Sequence, residues 1–199
     1  RDVLKNREIE DWNTYLNLDE SVVIPYQKLD NIENAVDLFM KHFNEKSKIG
    51  ILVDEDPDGF CSASMMYLYI KRMDENYPVD YILHTRAKAH GLSDDVTIPS
   101  DVKLLIIPDA GTNDVEMCRI LTEQGKSILI LDHHEFEGEP NEYACVINCQ
   151  DGYYPNNTLS GVGVVYKFCR EFDKMYGYDF ANYYLDLVSL GLIADSMDL

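Results

Sequence analysis

Several stretches of this sequence put metal-type ligands at spacings that could do chemistry. Asp54-Glu55-Asp56-Pro57-Asp58-Gly59 packs four acids into five residues, and Gly59 lets the chain turn tightly behind them. Neighbouring carboxylates repel one another unless cations neutralise them, and hard oxygen donors suit Mg2+ or Mn2+. The alternation of Asp54, Asp56 and Asp58 also opens an EF-hand loop, but the Glu that such a loop needs six residues after its Gly is Met65 here. Asp132-His133-His134 follows the apolar run Ile128–Leu131. One imidazole there can ligate a metal and the other can face a phosphate, with Asp132 orienting a ring from behind. Two single acids complete the set: Asp109, in Pro108-Asp109-Ala110-Gly111, and Asp195, after Gly191-Leu192-Ile193-Ala194. Taken alone, Asp109 serves equally well as a helix N-cap and Asp195 as a solvated helix end.

The elements that must position these residues are legible from hydrophobic patterning. Ile49–Val53, Leu104–Ile107 and Ile128–Leu131 are short continuous apolar runs, and Tyr81–Leu83 and Cys145–Ile147 are weaker ones. Such runs suit strands buried on both faces, hence a parallel sheet. Helical stretches lie between them, over about Ser62–Met73, Asp114–Gln124, Gly161–Tyr176 and Phe180–Ala194. Earlier in the chain, Asp30-Asn31-Ile32-Glu33 has the form of a capping box. Val36, Phe39, Met40 and Phe43 then follow at helical spacing, so a helix is expected to about Lys46. Alternating strands and helices predict an α/β fold with a doubly wound, mainly parallel sheet. Three of the apolar strands end in Asp or His at the carboxyl side, the edge where open α/β sheets bind ligands. Carboxylates and imidazoles gathered at one rim would suit two divalent ions, which can activate water and clamp the attacking and leaving oxygens of a phosphoryl displacement.

Bulk properties bound the remaining choices. The 199 residues suffice for one substantial domain, and no apolar run reaches the ~20 residues of a membrane span. Five cysteines, Cys61, Cys118, Cys145, Cys149 and Cys169, form no CxxC pair, which argues for core thiols in a reducing cytoplasm. The formal net charge of −19 has the wrong sign for gripping nucleic acid by its phosphates. Either the acids are there to hold cations that reverse the local field, or a basic surface lies outside these residues. The apolar ending and the missing initiator Met lead us to expect a piece of a longer protein.

Asp132-His133-His134 resembles the signature that names the DHH phosphoesterase superfamily. Asp54–Gly59 resembles its first motif, Pro108–Gly111 its second and Gly191–Asp195 its fourth, in the family's order. Asn6–Ile9 with Tyr15-Leu16, His90–Ser93, Tyr154-Pro155 and Leu159–Lys167 are similar to RecJ-type single-strand exonucleases in particular, so the likeness runs from about residue 4 to the end. The resemblance implies that residues 1–199 are a DHH catalytic domain, with 1–46 as lead-in and first helix, lacking C-terminal DHHA1 and oligonucleotide-binding parts. It implies two divalent cations, Mn2+ or Mg2+. It also implies 5′ to 3′ exonuclease action on single-stranded DNA, a role in repair or recombination, and repair or replication proteins as partners. Position by position, it assigns Asp56 to one metal, Asp58 to the other or its surroundings, and Asp54 to the first-motif ligands. Asp109 would bridge the ions, and His133 and Asp195 would hold the second. His134 would face the scissile phosphate, with Asp132 behind it, and Arg86 would meet substrate phosphate. The sequence departs from the pattern at Leu52, where many members carry His, and at Pro108–Gly111, which differs from the usual RecJ wording. Two alternatives follow: a DHH phosphoesterase of small substrates (nanoRNA or cyclic dinucleotides), and a non-catalytic DHH scaffold, which Leu52 would allow.

Overall fold

The computed structural model describes residues 2–19, 22–85, 90–138 and 140–197. Strands β1 (Lys48–Leu52), β2 (Val79–Ile82), β3 (Val102–Pro108), β4 (Ser127–Asp132) and β5 (Cys145–Asn148) form one sheet in the order β2-β1-β3-β4-β5. Every neighbouring pair is parallel. The helices are α1 (Asp2–Asn6), α2 (Trp12–Leu16), α3 (Ile32–Asn44), α4 (Pro57–Met73), α5 (Val115–Glu123), α6 (Gly161–Tyr176) and α7 (Leu185–Ala194). Among the described residues, no helix is long and apolar enough to cross a membrane.

The strands read as continuous apolar runs because both faces of the sheet are covered. Ile49, Ile51, Leu104, Ile106, Leu129 and Leu131 face a core shared with α3, α4 and α6. The alternate residues Leu52, Leu105, Ile107, Ile128 and Ile130 face a smaller core that includes Cys118 and Leu121 of α5. The order of the strands explains why α4 and α5 lie on opposite faces. The chain leaves β1 for β2 on one side and β3 for β4 on the other, so crossovers of one hand put their helices on opposite faces. The reversal between β1 and β3 opens a crevice at their carboxyl ends.

Three sequence expectations are corrected. The capping box at Asp30–Glu33 does not form: Asn31 is the N-cap in a left-handed conformation, without a side-chain cap bond. Its amide instead donates to the Val146 carbonyl at 3.4 Å, a tertiary partner that the local pattern could not reveal. Helix α4 begins at Pro57, not Ser62, so the acidic motif is partly helical. Asp56 caps it by accepting from the Gly59 N–H at 2.8 Å, and Pro57 fits the first turn because it has no N–H to satisfy. The last helix begins at Leu185, after a 3-10 turn at Ala181–Tyr184. There the Asp173 carboxylate accepts the Phe180 and Ala181 N–H groups at 3.0 and 2.8 Å.

Candidate active site

The crevice collects the predicted ligands. Asp54 lies just past β1, Asp109 just past β3, and His133 and His134 just past β4, while Asp195 caps the carboxyl end of α7. Ligand atoms of Asp54, Asp56 and Asp109 lie within 4.8 Å of one another, as do those of Asp58, His133 and Asp195, and those of Asp109, His133 and His134. Asp109 belongs to two of these groups and sits between the others. Its Oδ1 is 3.2 Å from His133 Nε2, which is 3.6 Å from Asp195 Oδ2. Arg86 falls outside the described residues.

Asp109 is the residue under most electrostatic tension. It is 1% exposed, and its Oδ1 has no aligned hydrogen-bond donor. Burial, and then the nearby Asp58, Asp56 and Asp132, push its carboxyl up to about 10. Its backbone is left-handed at φ 70, which is uncommon for a residue other than glycine and is a form of strain that concentrates at functional sites. A buried carboxyl without an aligned hydrogen bond, among other acids, needs a proton or a cation. The oxygen-rich donor set, five carboxylates with the imidazoles of His133 and His134, fits divalent Mg2+ or Mn2+, so the residues present suit the cations that the sequence implies.

Two glycines allow the acids to reach this crevice. A Cβ on Gly161 would lie 2.5 Å from the Asp109 Cβ, and one on Gly191 would strike Asp58 Oδ1 and come within 2.6 Å of Val162. Asp58, buried beneath Gly191, is engaged at the N-terminus of α6. Its Oδ2 accepts from Gly161 N–H at 2.6 Å and its Oδ1 from Val162 N–H at 3.2 Å. Burial raises its carboxyl pKa, while these two N–H groups act in the opposite sense. Asp58 therefore fixes α6 against α4, and through Gly161 it fixes the floor under Asp109.

Asp132 is an organiser of the loop after β4. It accepts from its neighbours' amides, His133 N–H at 2.7 Å and His134 N–H at 3.2 Å, from the His134 ring at 2.8 Å, and from Thr112 N–H at 3.0 Å. Burial alone would raise its pKa, but the hydrogen bonds from His134 and Thr112 prevail and hold it well below the usual carboxylate range. In turn Asp132 raises the pKa of His134, which remains partly exposed towards the crevice mouth. Pairing of Nδ1 with Asp132 leaves the His134 Nε2 edge free to address a ligand.

The structure adds His90, which stands in the sequence only within the RecJ-like segment His90–Ser93. Its Nδ1 lies 2.9 Å from Asp54 Oδ2, and its ring stands edge-on to that of His134 at 4.7 Å. The hydrogen bond to Asp54 holds its pKa up, to about 9, against the effect of burial. The adjacent Gly91 N–H also donates to Asp54, at 3.2 Å, and Leu92 N–H donates to Asp114 at 2.6 Å. The sequence signal was a His beside a glycine, too common a pair to identify a site residue by itself.

These features can be set beside known proteins. Residues 48–192 match the DHH family, N-terminal domain. The chain belongs to the DHH family. Over 98% of its length it is 44% identical to a Bacillus subtilis protein described as a putative SPbeta prophage-derived single-strand DNA-specific exonuclease, YorK. Over 90% of its length it is 33% identical to the single-stranded-DNA-specific exonuclease RecJ of Haemophilus influenzae. It spans 34% of each of these relatives, about a third of their length. Among solved structures, RecJ from Thermus thermophilus in complex with Mn2+ superposes with a TM-score of 0.75 at 17% identity, covering 96% of this chain and 27% of that one. An exonuclease RecJ bound to manganese superposes with a TM-score of 0.72 at 19% identity, covering 85% of this chain and 44% of that one. The expected α/β fold is thus the DHH fold, and the crevice acids lie within the region that the family covers.

Proposed function

We propose that this DHH domain hydrolyses phosphodiester bonds with two divalent cations, Mn2+ or Mg2+, and that its substrate is single-stranded DNA degraded from the 5′ end. The observation that carries the reading is Asp109: a buried carboxylate whose Oδ1 has no aligned hydrogen bond, shared between one cluster of acids and another that contains imidazole. On this reading Asp54, Asp56 and Asp109 hold one cation. Asp109, His133 and Asp195 hold the other, with Asp58 close by as the anchor of α6. The chemistry supplied by bound cations is activation of water and neutralisation of the charge that develops on the phosphate.

The chain's own residues do the rest. Asp132 fixes the His134 ring and favours its protonated form, so His134 presents a positively charged donor to a phosphate oxygen. His90 is held by Asp54 at the same mouth and adds a second imidazole to it. Arg86, four residues after Ile82 in the sequence, would add a further cation to the phosphate path. The printed descriptions of YorK and RecJ support single-stranded DNA as substrate. Free thiols throughout the described chain support a cytoplasmic setting, and a role in repair or recombination, alongside proteins of those processes, is the biological context that we propose.

The test is incubation of the protein with Mn2+ and an end-labelled single strand. Mononucleotides should leave one end in sequence, and Asp109→Ala should lower the rate by more than about 100-fold, at or beyond the upper end of losses seen for outer-shell residues. Full activity in that variant overturns the bridging role. The net charge of −19 favours a competing substrate, a short oligonucleotide or cyclic dinucleotide, since a long strand gains little electrostatic attraction from this surface. Faster turnover of dinucleotides than of long strands would establish that reading instead.

A further inference from the structure

Beside the acid crevice lies an apolar groove that the hydrolytic reading does not use. It has a volume of about 230 Å3 and is lined by Val53, Phe60, Ala63, Ser64, Tyr81 and Leu83. Phe60 is 53% exposed, Tyr81 42% and Leu83 62%, although each belongs to a type that normally seeks burial. Tyr81 is not loose: it stacks on Tyr67 with ring centroids 4.5 Å apart and planes 23° apart. Tyr81 thus presents a supported aromatic face in a lining that also holds the exposed Phe60 and Leu83.

The position of the groove indicates its occupant. Val53 immediately precedes Asp54, and Phe60 immediately follows Gly59, so the groove and the acid cluster flank the same junction between β1 and α4. A strand whose phosphate lies among the carboxylates has a base within a nucleotide's reach of the other side. Nucleobases stack on such aromatic faces whatever their identity, because every base has a π-face. Ser64 is the one side chain in the lining that carries a hydroxyl apart from Tyr81, which is too little polar equipment to tell bases apart. Phe60 results from the way α4 starts: with Pro57 at the first turn and Asp58 and Gly59 turned inward, the next side chain points out beside β2.

We propose that this groove is a nucleobase subsite, in which Phe60 and Tyr81 stack a base of the bound single strand without sequence preference. The proposal rests on the hydrolytic reading for the placement of the phosphate. Its test uses the whole protein with Mg2+ and phosphorothioate-linked single strands carrying 2-aminopurine at successive positions. One position should be quenched on binding. Phe60→Ala should abolish that quenching and weaken binding by about 5- to 100-fold. Phe60→Leu, which keeps apolar volume and removes the aromatic face, should lose the quenching too. An abasic site at the quenched position should weaken binding to the unaltered protein and cause no further loss in Phe60→Ala, because the two changes remove one interaction. Unchanged quenching and affinity in both Phe60 variants overturn the subsite. Cleavage of an ordinary end-labelled strand in Mn2+ is followed in parallel. Cleavage with wild-type affinity in Phe60→Ala removes the subsite and leaves the hydrolase reading. Quenching that depends on Phe60, without any cleavage, upholds the subsite and removes the hydrolase reading.

Discussion

Replacing Asp109 with Asn should stabilise the metal-free protein while destroying its response to metal. The Asp109 carboxyl is raised from an ordinary 3.8 to about 10, chiefly by burial. Between those values the folded state keeps a proton that the unfolded state has released. Stability therefore falls as pH rises through this window, by about 1.4 kcal/mol per unit. From 3.8 to pH 7 the ceiling on that cost is about 4 kcal/mol, lessened by relaxation of the crevice and by proton uptake on neighbouring acids. Asn removes the titration, keeps the shape and tolerates the left-handed backbone at this position. The assay is thermal unfolding in a chelator at pH 5 and pH 8, repeated with Mn2+. Asp109→Asn should melt higher than the unaltered protein in chelator, with the larger gap at pH 8. Mn2+ at about 100 times its dissociation constant should add about 2.7 kcal/mol to the unaltered protein and far less to the variant. A variant that melts lower in chelator at pH 8, or that gains as much from Mn2+, refutes the argument that the tension at Asp109 exists to be relieved by a cation.

Further outcomes follow from the same geometry. Gly161→Ala brings a methyl within 2.5 Å of the Asp109 Cβ, so it should cost about 1–3 kcal/mol of stability by overpacking and weaken Mn2+ binding measured by calorimetry, with the sheet intact by circular dichroism. Asp58→Ala strands the Gly161 and Val162 N–H groups in a buried setting and should cost about 1–3 kcal/mol in urea unfolding, whereas Asp58→Asn, which keeps an acceptor, should cost less. His90, raised to about 9 by Asp54, stabilises the metal-free fold fully below its ordinary 6.5 and loses that contribution as pH rises through about 9. Its ring resonances should titrate near that value in chelator, and a midpoint near 6.5 would show that the Asp54 contact is absent in solution.

The sequence by itself determined the fold class and which rim of the sheet collects the candidate ligands. Apolar runs at residues 49–53, 104–107 and 128–131 could be satisfied only by strands covered on both faces, and the polar residues directly after them had to emerge at one edge. Asp54, Asp109 and His133 were therefore legible as neighbours from strand polarity, which converts sequence position into place on the rim, whereas Asp195, at the end of a helix, joined them only through the family resemblance. What the sequence could not supply depends on contacts between distant segments. The helix starts from Asn31 and not from the Asp30 cap that the local pattern offers, and the Asn31 amide reaches Val146, 115 residues away. His90 matters because a loop delivers it to Asp54, 36 residues away. The left-handed backbone of Asp109, the lack of an aligned hydrogen bond at its Oδ1, and the anchoring of α6 by Asp58 arise only when α4, α6 and β3 close on one another. Periodicity records which side of an element is buried, but burial among particular neighbours sets the charge state and the hydrogen bonding of a side chain, and those neighbours are chosen by the tertiary fold.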